Sequence, residues 1–132
     1  MAIKLVYIAG PYRAETAWGI ENNVRRIEDV GARVAQYGAL PIMPHANTRF
    51  FHGAFNLPDQ FWLDAYLELV RRCDAVFCRD GSHGTNRELE LADSLNIPIF
   101  HNFIALATWL NGQHRERGCD ECSDEVSNQA IQ

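Results

Sequence analysis

The segment Asp80-Gly81-Ser82-His83-Gly84-Thr85-Asn86-Arg87-Glu88 sets small and hydroxylic residues beside one carboxylate, directly after the apolar run Ala75-Val76-Phe77-Cys78. That order predicts a strand, a tight loop and a helix start. Small residues let a ligand approach the backbone, Ser82 or Thr85 can cap the helix, and free amides at a helix start favour an anion such as phosphate. Glu88 is out of keeping with anion binding. Its carboxylate would repel a phosphate held by the same amides, so it is expected to face another part of the substrate and act on it chemically. The competing role for Glu88 is that of a first-turn acid stabilised by the helix dipole.

The elements that must position this loop alternate between strand and helix. Lys4 to Ile8 is a short apolar β run that ends in a turn at Ala9-Gly10-Pro11. From Ile20, apolar residues at Val24, Ile27, Val30 or Gly31 and Val34 recur at helical spacing, and Gly38 stops the helix. Leu40 to Met43 reads as a second strand despite Pro41, and Pro44 to Pro58 as a long loop. Asp59 caps a helix to about Arg72. After the strand at Ala75 to Cys78 and the loop come a helix to about Leu95, a strand at Ile97 to Phe100, and a short helix from Ile104 to Leu110. Such alternation implies an α/β fold with a parallel sheet between two helix layers, whose ligand crevice lies at the carboxyl ends of the strands. The loops 10–14, 45–48 and 81–88 should converge there.

Composition limits the possible partners. The chain has 132 residues, 47% hydrophobic and 22% charged, which suits one globular domain, read here as residues 1–110 with a polar tail over 111–132. No apolar run approaches a membrane span, the start does not resemble a signal peptide, and four cysteines suit a reducing, cytoplasmic setting. The tail carries five acids against two arginines, and so three of the five net negative charges. Neither part has the basic face expected of a nucleic-acid or anionic-membrane binder. Cys119-x-x-Cys122 with His114 raises zinc only weakly, because no second spaced pair accompanies it.

Four segments, in order, carry a resemblance: Tyr7-Ile8-Ala9-Gly10-Pro11-Tyr12-Arg13, Pro44-His45, Cys73-Asp74-Ala75-Val76, and Ser82-x-Gly84-x-x-x-Glu88-x-x-x-Ala92. Together they resemble the nucleoside 2-deoxyribosyltransferase superfamily over roughly residues 3 to 101. Its members include deoxyribosyltransferases, nucleoside 5′-monophosphate N-glycosidases and cytidylate hydrolases. The resemblance implies a single Rossmann-like or flavodoxin-like three-layer domain acting on a nucleoside or nucleotide without metal or cofactor. It also implies a homodimer or larger assembly, because related sites are completed by a neighbouring chain.

Carried over by position, Glu88 would attack the anomeric carbon and expel the base through an oxocarbenium-like transition state with overall retention. Tyr7 would turn its hydroxyl to the sugar or the nucleophile, and otherwise is a core aromatic with a wet tip. Ser82 would hold phosphate or sugar, Gly84 and Gly10 would let the backbone approach the ligand, and Arg13 would contact a phosphate. A plain N-cap and a solvated loop arginine are the simpler roles of Ser82 and Arg13. His45 would line the pocket, or merely satisfy loop carbonyls.

One departure affects the chemistry. The superfamily usually carries an aspartate eight residues before the position of Asp74, and Tyr66 stands there. Asp64 can replace it if the helix is shifted in register, and Tyr66 itself is a weak acid. The missing acid leaves room for a second function, a non-catalytic module that binds a nucleotide in the same pocket. A third is a phosphoribohydrolase-like enzyme acting on another sugar. The aromatic cluster Phe50, Phe51, Phe55, Phe61 and Trp62 reads as a lid or a subunit contact.

Overall fold

A computed structural model describes residues 2–49, 51, 54–79 and 86–116. Its strands are β1 (Leu5–Ala9), β2 (Leu40–Ile42), β3 (Ala75–Cys78) and β4 (Ile99–Phe100). Its helices are α1 (Ala17–Gln36), α2 (Pro44–Asn47), α3 (Asp59–Arg71), α4 (Asn86–Ser94) and α5 (Phe103–Glu116). All strand pairs are parallel, in the order β2-β1-β3-β4. The fold is therefore the expected α/β three-layer arrangement, with the strand order reversing at β1.

Side-chain alternation along the strands builds the two outer layers. Val6 and Ile8 of β1, with Ala75 and Phe77 of β3, pack on Ile27 and Val34 of α1 and Leu106 and Leu110 of α5. The intervening residues Tyr7, Ala9, Val76 and Cys78 face Tyr66 and Val70 of α3 and Ala92 of α4. Every residue of β3 is buried, as a central parallel strand covered on both faces requires.

The element boundaries differ from the periodic pattern where capping or single turns decide. Helix α1 starts at Ala17, ahead of Ile20, because Thr16 caps it by accepting the Gly19 amide at 3.0 Å. Its first turn carries Trp18 out to solvent at 75% exposure, so no apolar repeat marks it. Gly38 takes φ 82°, a left-handed value that suits glycine, and ends the helix as expected. Helix α2 is one turn, too short for any period, and is started by Pro44, whose missing N–H is not needed there. Pro41 is accommodated because β2 is an edge strand. Asp59 does not cap α3: Pro58 holds that position, and Asp59 pairs with Arg13 instead. Helix α5 runs past Leu110 to Glu116.

Asp74 ties the starts of the two central strands together. Its carboxylate Oδ2 accepts the Leu5 amide at 2.8 Å, and its own amide donates to the Leu5 carbonyl at 2.8 Å. This reciprocal pair fixes the register that sets Tyr7 beside Val76. Asp74→Ala is expected to lower unfolding free energy by about 1 kcal/mol. Urea denaturation checks it: the midpoint should fall with an unchanged slope.

Candidate active site

Tyr7 lies in the middle of a strand paired on both sides, and alternation turns its ring toward α3 and α4, where it is fully buried. Its hydroxyl donates to Glu88 Oε1 at 2.7 Å, across 81 residues of sequence. Glu88 stands in the first turn of α4 with only 8% of its surface exposed, so it points inward rather than to solvent. Burial pushes its carboxyl above the usual carboxylate range, and the Tyr7 hydrogen bond partly counters that rise. The Tyr7 phenol is raised as well, by burial first and then by the Glu88 charge, so the shared proton stays on the phenol. No cation pairs with Glu88 among the described residues. A buried carboxylate of this kind costs a fold stability, which makes Glu88 a candidate functional group.

A cavity of about 500 Å³ opens between the loop after β1, the start of α1, helix α2 and helix α3, and neither Tyr7 nor Glu88 is in its lining. Its wall combines four aromatic rings with Ile20, Leu63 and four charged side chains, Arg13, Glu21, Arg49 and Asp59. Tyr12 stacks on His45 with centroids 4.6 Å apart and planes 4° from parallel, and His45 meets Tyr66 edge-on at 5.3 Å. Trp62 adds a fourth ring. Tyr66 belongs both to this wall and to the buried cluster that contains Tyr7, so it links the cavity to the carboxylate. Burial pushes the His45 imidazole down to about 4, which leaves it neutral at physiological pH.

The polar groups of the wall are already engaged. The Tyr66 hydroxyl lies 2.5 Å from Thr48 Oγ1, which donates to the Pro44 carbonyl at 2.9 Å. Arg13 donates to Asp59 at 3.0 Å, and Arg49 binds both Glu21 and Glu28. Asn23 donates to the Tyr12 carbonyl at 3.1 Å and steadies the loop after β1.

The structure brings together Tyr7 and Glu88, places His45 in the cavity wall, and sets Arg13 on its rim. Two of the expected site residues lie outside the wall of this cavity. Gly10 backs onto α1, where a Cβ would stand 3.3 Å from Ile27 Cγ1, and lines a second cavity of about 850 Å³ with Asn23 and Arg79. Asp64 is the other. It is exposed, accepts a bond from Gln60 at 2.8 Å, and lines a separate depression with Arg71 and Arg87. Two positions along a helix rotate a side chain by about 200°, which takes Asp64 away from the wall that Tyr66 forms. Ser82, Gly84, Phe50, Cys119 and Cys122 lie outside the described residues. Among the described residues no group of three or more His, Cys, Asp or Glu is placed to hold a metal, and no helix is long and apolar enough to cross a membrane.

Sequence reasoning missed Tyr12, Thr48 and Arg49. The first two sit in loops singled out for strand-end position, which is the signal that would have found them. Arg49 carries no such signal, because its partners Glu21 and Glu28 are distant in sequence.

A family model described as a domain of unknown function, DUF7768, matches residues 4–102, and the chain belongs to that family. No curated protein sequence matches it. Among solved structures, a 2-deoxyribosyltransferase from Bacillus psychrosaccharolyticus, a biocatalyst for nucleoside synthesis, is similar in fold with a TM-score of 0.56 at 19% identity. The match covers 72% of this chain and 69% of that one.

The depressed His45 has a consequence for stability. The unfolded chain binds a proton at this residue near its ordinary 6.5, whereas the folded chain resists until about 4. Stability from this source therefore falls as pH drops through that interval. Glu88, raised in the fold, acts in the opposite sense above its ordinary 4.5. The difference between wild type and His45→Gln isolates the histidine: the variant should lose less stability between pH 6.5 and 4. Denaturant titrations at stepped pH provide the check.

Proposed function

We propose that this member of the family cleaves or transfers the N-glycosidic bond of a nucleoside or its 5′-monophosphate, with Glu88 as nucleophile. The observation that carries this reading is the buried Glu88 carboxylate, held by the Tyr7 hydroxyl and without a cation among the described residues. The aromatic cavity suits a flat base, and the likeness in fold to a 2-deoxyribosyltransferase supports the same class of chemistry.

In the proposed reaction Glu88 Oε2, the oxygen not engaged by Tyr7, bonds to the anomeric carbon as the C–N bond breaks. The bonding pair leaves with the base, which takes up a proton from the medium. Water or a second base then attacks the same carbon and loses a proton, and Glu88 departs as the carboxylate. Two displacements give net retention. Tyr7 favours the ionised carboxylate at the start and the end, which assists its departure. Arg13 can exchange Asp59 for a substrate phosphate, since an exposed pair contributes little to stability. Exposed Phe51, Phe55 and Phe61 support an assembly of two or more copies.

One observation favours a second reading, a nucleotide-binding module without turnover. Asp64 lies off the cavity, and the wall carboxylates Glu21 and Asp59 are both ion-paired, so none is placed as a ready acid for the departing base.

Incubation with each common nucleoside and 5′-monophosphate, followed by chromatography of free base, separates the two. Glycosyl chemistry predicts base release that falls by at least about a hundredfold in Glu88→Gln. Release untouched by that change would remove Glu88 from the mechanism, and binding without release would favour the module. Because Glu88 must be ionised and its pKa is raised, kcat/KM should fall as pH drops through a value above 4.5. Tyr7→Phe deletes the donor that favours the charged form, so its acid limb should lie at higher pH than in wild type.

A further inference from the structure

We propose that Tyr66 offers the cavity an accepting oxygen rather than a proton, and that the site therefore prefers amino-bearing bases, adenine and cytosine, to their oxo counterparts, hypoxanthine and uracil. The proposal rests on the reading that the cavity takes the base of a nucleoside.

The count of protons fixes the direction. Thr48 has one hydroxyl proton, and the Pro44 carbonyl 2.9 Å away can only accept it. With that proton committed, the contact of 2.5 Å between Thr48 Oγ1 and the Tyr66 oxygen needs the phenol as donor. The chain ends on a carbonyl and cannot reverse without breaking a bond. Tyr66 is 7% exposed, so bulk water does not readily reorient it. Its oxygen retains a lone pair, on a residue that lines the cavity.

A base reaches this oxygen because the flat rings of Tyr12, His45, Trp62 and Tyr66 surround the same space, while Tyr7 and Glu88 mark where the sugar must lie. The exocyclic groups are then what Tyr66 meets. Adenine N6 and cytosine N4 donate where the oxygens of hypoxanthine and uracil only accept. An oxo group against the phenol oxygen places two acceptors together with no proton between them. Neutral His45 adds no charge and can adopt either tautomer, so it does not cancel the discrimination.

The test is calorimetric binding of adenine, hypoxanthine, cytosine and uracil to wild type, Thr48→Val, Thr48→Ser and Tyr66→Phe. Wild type should bind the amino member of each pair about tenfold more tightly. Valine cannot accept, so Thr48→Val releases the Tyr66 proton toward the cavity and should abolish or invert the ratio. The Pro44 carbonyl keeps the residue-48 amide as a donor at 2.9 Å, so that variant does not orphan the carbonyl. Thr48→Ser should restore the preference, and Tyr66→Phe should bring the ratio near one. Equal binding by wild type, preference for the oxo bases, or a ratio unmoved by Thr48→Val overturns the proposal. If Thr48→Val fails to fold, an unchanged ratio in Tyr66→Phe overturns it equally. Failure of all four bases to bind also overturns it, and the separate dependence of base release on Glu88 then tells whether the glycosyl reading survives.

Discussion

One hydrogen bond, from a strand tyrosine to a helix carboxylate with no cation in reach among the described residues, sets the terms for the rest of the molecule. Removing an ionised carboxylate from water is costly, and a single neutral donor offsets only part of that cost. The rest of the fold must hold the two groups together. Tyr7 is fixed because β1 is paired on both sides and covered on both faces. Glu88 is fixed because Ala92, one turn further along α4, packs into the same cluster as Tyr7 and Val76. Asp74 sets the β1 and β3 register on which both placements depend.

The cavity follows a different principle. Its rings touch one another, in a parallel stack of Tyr12 on His45 and an edge contact from His45 to Tyr66, and the charged groups of its lining are ion-paired. Burial keeps His45 neutral. The cationic groups at the rim, Arg13 and Arg49, are each balanced by carboxylates. Such a surface discriminates by shape and by the direction of hydrogen bonds more than by net charge. Tyr66 belongs to both the wall and the core, and its hydroxyl is engaged by Thr48.

The α/β class, the parallel sheet and the membership of most core residues were legible because burial on both faces of β1 and β3 leaves apolar runs, and α1 shows a helical repeat. Tyr7, Glu88 and His45 were legible as candidates from motif order, and Glu88 and His45 also from the loops that follow β3 and β2. The starts of α1 and α2 were not. A Thr16 cap and a Pro44 start are local hydrogen-bonding decisions that leave no apolar period. Phe55 and Asn56, adjacent non-glycine residues with φ of 54° and 58°, likewise have no signature in hydrophobic pattern.

The amino-acid sequence by itself determined which residue types are available for chemistry and which strands and helices carry them, because periodicity and loop position are properties of neighbours along the chain. Only the tertiary structure decided which of them meet. Tyr7 finds Glu88 across the sheet, Arg49 finds Glu21 and Glu28, and Gly10 comes up against Ile27 of α1. Asp64 and Tyr66, two residues apart in sequence, end on different faces of α3, since helical rotation and the packing of that helix on the sheet, not spacing, choose which side chain enters the cavity.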